Sequence, residues 1–113
     1  MAALPRASRL ARLGDRMNKT ERAYAELLDV RQRAGQVAAW YFGALTLRLG
    51  DDCRYTPEFL VLLPDGTVEL HEVKGFFRDD ARVKIRAAAS SYPFLFRLIR
   101  RDRAGWHNEE VPA

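Results

Sequence analysis

The sequence contains a single cysteine, Cys53, among its 113 residues. One thiol cannot form an internal disulfide or a zinc site built from several cysteines, so a secreted, disulfide-stapled module is excluded. The longest apolar stretch, residues 37–45, is far shorter than the about 20 residues that a membrane-spanning helix needs. We therefore expect a non-membrane protein with a modest core in a reducing cytoplasm.

Excess charge is small and unevenly distributed along the chain. The formal net charge is +4, and residues 1–16 hold four arginines against one aspartate, so the remainder is nearly neutral. We expect residues 1–16 to form a basic arm, either solvated and flexible or in contact with phosphate groups. Residues 17–113 are expected to form one domain. Lysine is scarce, with only Lys19, Lys74 and Lys84. We therefore single out these three positions as candidates for a functional role of a compact ammonium group.

The spacing of apolar residues predicts two helices and up to five strands. The helices are predicted at residues 18–34 and at 79 or 80 to about 91, and the strands at residues 37–49, 54–63, 67–74, 94–100 and 105–111. Asn18 and Glu21 form a capping box for the first helix, and the turn at residues 64–66 joins two strands into a hairpin. The second helix returns the chain to the sheet. The order predicts an α/β protein, an α+β sandwich with a mixed central sheet.

The third predicted strand carries charged residues on a face that begins apolar. Side chains alternate along a strand, so Leu70, Glu72 and Lys74 share one face. Folding the hairpin about residues 64–66 places Glu58 opposite Glu72, where like charges are destabilising. The pair therefore indicates a bound Mg²⁺ or Mn²⁺, with Lys74 beside it to act on a water or on developing negative charge. The alternative is an ordinary exposed cross-strand charge cluster.

Two segments of the chain resemble the signature of the PD-(D/E)XK nuclease superfamily. They are Thr56-Pro57-Glu58-Phe59 and Glu72-Val73-Lys74-Gly75. The predicted order αβββαβ is similar to the restriction-endonuclease-like core of that superfamily. Residues 17–101, from Asn18-Lys19-Thr20-Glu21 to Tyr92-Pro93, resemble a small phage-encoded endonuclease family related to Holliday-junction resolvases.

This resemblance implies a metal-dependent DNA endonuclease that hydrolyses phosphodiester bonds with Mg²⁺ or Mn²⁺. Glu58, Glu72 and the carbonyl of Val73 would bind the metal, and Lys74 would be the catalytic lysine. Glu21 would complete or orient the metal site, unless it serves only as the helix cap. Position 58 holds Glu where the family usually has Asp, and a displaced carboxylate lowers activity. A DNA-binding module that keeps the fold with weak or no catalysis is therefore the alternative.

The resemblance also implies a set of contacts with DNA. Branched DNA such as a four-way junction is the expected substrate, and a homodimer would cut both strands. The residues expected to contact DNA are Lys19, Gly75, Arg82, Lys84, Arg100 and Arg101. For Lys84 and the arginines of the last strands, a solvated surface position is the alternative. The implied setting is the cytoplasm of a bacterial host, with a phage or prophage as source.

Overall fold

Residues 16–74 and 79–112 are described by the computed structural model, so residues 1–15 of the predicted arm, and Gly75, lie outside the described residues. Two helices and seven strands in these ranges form an α+β fold with one mixed five-stranded sheet. The elements are α1 (Lys19–Arg33), β1 (Ala39–Phe42), β2 (Leu47–Gly50), β3 (Cys53–Tyr55), β4 (Phe59–Leu62), β5 (Val68–Val73), α2 (Asp79–Ser91), β6 (Leu95–Asp102) and β7 (Gly105–Val111).

Both predicted helices are confirmed, and the start of α1 has its predicted cap. The Asn18 side chain accepts a hydrogen bond from Glu21 N, and Glu21 Oε1 accepts one from Asn18 N, each at 2.8 Å. The two bonds satisfy donors that the first turn of a helix would otherwise leave unpaired. Gly35, at φ +80°, follows the end of α1 in the left-handed conformation that glycine favours. Within the described ranges, neither helix has the length and apolarity to cross a membrane.

The first two predicted strands are wrong as continuous elements, because each is divided between two sheets. Residues 37–49 form β1 and β2, and residues 54–63 form β3 and β4. Gly43, at φ +61°, turns the chain after β1. Pro57 lies in the chain between β3 and β4 and has no N–H to continue a strand ladder. As a result β2 and β3 pair with each other as a separate hairpin, while β1 pairs with β4 in the main sheet.

The main sheet has the strand order β1-β4-β5-β6-β7. Only β5 and β6, which α2 connects, run parallel; the other neighbours are antiparallel. The hairpin register is the predicted one, because Phe59 pairs with His71 and Leu60 with Leu70. One further step along this register places Glu58 opposite Glu72, just before the start of β4.

Hydrophobic side chains fill both sides of the sheet. On the α1 side, Tyr24, Leu28, Trp40, Phe59 and Val73 belong to one buried cluster. On the α2 side, the cluster consists of Leu47, Tyr55, Leu70, Ile85, Ala88, Ala89, Phe96, Leu98 and Val111. The small side chains of α2 let that helix approach the sheet closely. The predicted alternation of β5 is thereby confirmed, with Leu70 facing α2 and Val73 facing α1.

Candidate active site

Glu58, Glu72 and Lys74 meet where β4 begins and β5 ends. Lys74 Nζ lies 2.7 Å from Glu58 Oε1, and the backbone N–H of Val73 donates to Glu58 Oε2 at 3.2 Å. Glu72 is 7% exposed, and the side chain of Glu58 is 11% exposed. The interpretation of these charges as an ordinary exposed cluster is therefore wrong, because both carboxylates are largely removed from water.

The two carboxylates repel each other in this partly buried position. The pKa of Glu58 is raised to about 7, first by burial and then by the neighbouring Glu72, against the opposing effect of Lys74. Burial lowers the pKa of Lys74, but its hydrogen bond to Glu58 and the surrounding carboxylates outweigh burial, so the net shift is upward. When both carboxylates are ionised, they carry more negative charge than the single lysine compensates, which is the electrostatic setting that attracts a cation.

Glu21 joins this cluster from the first turn of α1. Its pKa is raised first by burial and then by the nearby Glu58, while the bond from Asn18 N lowers it. The residue is 9% exposed. Capping and a place at the cluster are thus compatible, because Oε1 accepts the Asn18 bond while the carboxylate also interacts with Glu58 and Lys74.

The atoms of the cluster that are able to coordinate a metal ion are oxygens. Val73 N donates toward Glu58, whereas Lys74 N donates to Ile99 O of β6 at 2.9 Å. Because the N–H and C=O of one strand residue point to the same side, the Val73 carbonyl lies on the Glu58 side of β5. Two carboxylates and a carbonyl fit Mg²⁺ or Mn²⁺, ions that commonly complete their coordination with water and substrate phosphate.

No complete metal site is formed by side chains alone in the part of the chain that the structure describes. Within residues 16–74 and 79–112, no group of three or more His, Cys, Asp or Glu side chains is placed to hold an ion. A cation at Glu58 and Glu72 would therefore depend on the backbone carbonyl of Val73 and on oxygens from outside the protein.

Tyr55 is a site residue that the sequence patterns did not reveal. Its Oη donates to Glu72 Oε2 at 2.7 Å, and the ring is buried at 7% exposure. Burial, and then the charge of Glu72, raises the pKa of Tyr55, so the hydroxyl stays a donor. The β2–β3 hairpin carries Tyr55, and a 2.7 Å hydrogen bond between the side chains of Thr46 and Thr56 closes its base.

A Tyr55→Phe substitution is expected to lower metal affinity and cleavage by about 10-fold, in the range found when a group that orients a metal ligand is lost. The matched control is Tyr41→Phe, because Tyr41 is 46% exposed on β1. Cleavage rates measured against Mg²⁺ concentration separate a weaker metal site from a slower reaction. A Tyr55→Phe protein with the metal dependence of the control would contradict the positioning role.

The described residues expected to contact DNA lie at separate places in the fold, except Lys19 and Arg101, which line one groove. Lys19 is exposed on α1 and Lys84 is exposed on α2. Arg82 lines a small cleft with Glu109 and Glu110 of β7, on the α2 side of the sheet. The structure therefore places Arg82 near two acidic residues of β7.

The two arginines of β6 have different neighbours. Arg100 Nη1 lies 3.1 Å from Asp102 Oδ2, and the guanidinium of Arg101 lies over the ring of Trp106 with its Cζ 5.2 Å from the ring centroid. Side chains alternate along β6, so these two arginines face opposite sides of the sheet.

A second polar cluster lies on the α1 side of the sheet. His71 is 2% exposed; its Nδ1 lies 2.6 Å from Tyr24 Oη and its Nε2 lies 2.8 Å from Glu69 Oε1. Arg97 Nε is 3.1 Å from the same Glu69 oxygen. His71 therefore lies between α1 and the sheet, and its hydrogen bond with Tyr24 joins α1 to β5.

A Tyr24→Phe substitution is expected to lower the free energy of unfolding by about 1–3 kcal/mol, because it leaves a buried imidazole nitrogen without its partner. Urea denaturation followed by circular dichroism measures the change. Tyr41→Phe again serves as the control for loss of an exposed hydroxyl. A loss no larger than that of the control would contradict a stabilising role for the bond between Tyr24 and His71.

The arrangement is suited to hold a divalent cation against a phosphate group. Carboxylate oxygens lie on one side, and an ammonium group able to stabilise developing negative charge lies 2.7 Å from one of them. The chain matches none of the protein-family models, and neither the curated proteins nor the solved structures include a significant match to it.

Proposed function

We propose that this chain is a metal-dependent DNA endonuclease of the PD-(D/E)XK type. The observation that carries the proposal is the meeting of two largely buried carboxylates, Glu58 and Glu72, with the half-exposed Lys74 at the end of β5. Around the main sheet, the elements follow the order α1, β1, β4, β5, α2, β6, with β7 added at the edge. That order supports a restriction-endonuclease-like αβββαβ core, into which the β2–β3 hairpin is inserted.

In this proposal, each residue of the cluster has a separate task. A bound Mg²⁺ or Mn²⁺ supplies Lewis acidity at the phosphate and a more acidic attacking water. Glu58 and Glu72 hold the ion with the Val73 carbonyl, and Tyr55 fixes the orientation of Glu72. Lys74, held by Glu58, presents its ammonium group to the negative charge that develops on the phosphoryl oxygens.

Glu21 is proposed to act from α1 on this same cluster. Its carboxylate is tied to Asn18 N at 2.8 Å, which fixes its position beside Glu58. In that position, the Glu21 carboxylate can orient the attacking water, or can orient Glu58 as a ligand of the metal. A homodimer, with one such site for each DNA strand, is part of the proposal.

A second candidate function is a DNA-binding module with little or no catalysis. Lys74 and Val73 N already occupy the oxygens of Glu58, and Tyr55 occupies Glu72 Oε2. These bonds stabilise the carboxylates without an ion, so the cluster is also compatible with a structural role. This candidate predicts DNA affinity without metal-dependent cleavage.

The experiment that separates the two candidates is a cleavage assay on a substrate panel. Linear, nicked, flapped and four-way DNA of the same sequence is incubated with wild type in Mg²⁺, Mn²⁺ or EDTA. Metal-dependent products that a Lys74→Ala protein fails to form support the endonuclease. Preference for the four-way substrate over duplex supports the resolvase subclass. Wild type that leaves all four substrates intact, or a Lys74→Ala protein that cleaves equally well, overturns the endonuclease proposal.

A further inference from the structure

A groove lies between the first turns of α1 and strand β6. Its volume is about 350 Å³. The lining residues are Lys19, Thr20, Arg22, Ala23, Glu26 and Arg101. Glu21, which interacts with Glu58, belongs to the same helical turn as Lys19 and Arg22, so the groove and the candidate active site share the start of α1.

The charge of this groove is predominantly positive. Lys19, Arg22 and Arg101 face a single carboxylate, Glu26. Within the described part of the chain, none of these three cations forms an ion pair. Exposed like charges that share one groove repel each other, and a bound polyanion relieves that repulsion.

An aromatic ring fixes the position of one of the cations. The guanidinium of Arg101 lies over Trp106, with Cζ 5.2 Å from the ring centroid. Trp106 is held in turn by Tyr24, at a centroid distance of 5.2 Å, and packs against the core on the α1 side. A cation held in place before binding loses less conformational entropy when it binds a ligand.

The position of Arg101 on β6 connects the groove with the candidate active site at the end of β5. Ile99 O accepts the hydrogen bond from Lys74 N, and Arg101 is two residues further along β6, about 7 Å away along the strand. Arg101 faces the α1 side of the sheet, whereas Glu72 and Lys74 share the face of Leu70, so a strand bound at the carboxylate cluster reaches the groove by passing over the end of β5. Lys19 and Arg22 lie on the opposite wall, where α1 begins.

We propose that this groove binds the phosphodiester backbone of the strand whose scissile phosphate lies at Glu58 and Glu72. This assignment rests on the proposed endonuclease function and adds Arg22 to the residues that contact nucleic acid. The recognition is electrostatic and independent of base sequence, because three of the five polar side chains that line the groove are cations.

The test compares two triple variants with the same loss of charge. The groove variant is Lys19→Gln, Arg22→Gln, Arg101→Gln. The control is Arg33→Gln, Arg54→Gln, Arg86→Gln, whose positions are exposed and do not line the groove. Fluorescence anisotropy in EDTA measures binding to labelled single-stranded, duplex and four-way DNA over a range of NaCl concentrations, so no cleavage is required.

The groove variant is expected to bind at least about 10-fold more weakly, with a salt slope lower by about 2–3, because each lost phosphate contact contributes about 0.7–0.9. The control is expected to change the slope by less than about 1. The DNA form whose affinity falls most in the groove variant identifies the kind of DNA that occupies the groove.

Equal losses in the groove and control variants, or wild type that binds no DNA, overturn the assignment. Binding that depends on the groove in a wild type without cleavage supports the groove and overturns the endonuclease. Metal-dependent cleavage with equal losses in the two triple variants supports the endonuclease and overturns the groove.

Discussion

A Glu72→Gln substitution is expected to lower metal-dependent DNA cleavage by about 10³-fold or more while the protein stays folded. The substitution removes a charged ligand from the proposed cation site without changing the size of the side chain. A 10³-fold loss corresponds to about 4 kcal/mol, which lies within the several kcal/mol that a metal ion contributes to such a transition state. Single-turnover cleavage of the best substrate in Mg²⁺ measures the effect.

The fold is expected to tolerate Glu72→Gln because of the surroundings of Glu72. Tyr55 Oη, now 2.7 Å from Glu72 Oε2, can donate to an amide oxygen equally well. Removing one of two neighbouring carboxylates also relieves the repulsion that contributes to the raised pKa of Glu58. The melting temperature without metal should therefore equal or exceed that of wild type.

The stabilisation of the fold by Mg²⁺ provides an independent readout of the same site. Wild type should melt at a higher temperature when Mg²⁺ is added, because the ion binds only the folded protein. Glu72→Gln should lose most of this rise, whereas Glu110→Gln, at an exposed position on β7, should keep it. A Glu72→Gln protein with normal cleavage and a normal Mg²⁺ response would show that Glu72 holds no catalytic ion.

Local signals explain why the sequence predicts much of the site. The capping box at Asn18 and Glu21 fixes the start of α1, and the turn at residues 64–66 fixes the register of β4 and β5. A known register and the alternation of side chains then place Glu58, Glu72 and Lys74 together. Each of these steps depends on residues close in sequence, so pattern alone suffices.

The residues that the sequence does not predict are those placed by tertiary contacts. The runs of residues 37–49 and 54–63 each divide, at Gly43 and Pro57, into strands of different sheets. Neither residue by itself predicts which strand each half will pair with. Tyr55 therefore reads as part of one long strand, although the hairpin carries it to Glu72, 17 positions along the chain. His71 is similar, because its burial requires Tyr24 of α1 above it.

The glutamate at position 58 gains a structural explanation from the geometry. Glu58 precedes β4, and its two side-chain oxygens contact Lys74 Nζ at 2.7 Å and Val73 N at 3.2 Å at the end of β5. The usual aspartate would withdraw the carboxylate by one methylene, about 1.5 Å. In this chain, both contacts of Glu58 are made at the length of a glutamate, and a shorter side chain would withdraw from both partners.

Glu58→Asp is therefore expected to lower cleavage by about 10²-fold, although it restores the residue typical of the family that the chain resembles. Misplacement of a reacting group by about 1 Å costs a factor of this size. The measurement is the single-turnover rate in Mg²⁺ and in Mn²⁺, with Glu110→Asp as the control for a shortened, exposed glutamate. A Glu58→Asp protein that cleaves faster than wild type would instead show that the longer side chain lowers the cleavage rate. That result would contradict a catalytic need for the two contacts of Glu58.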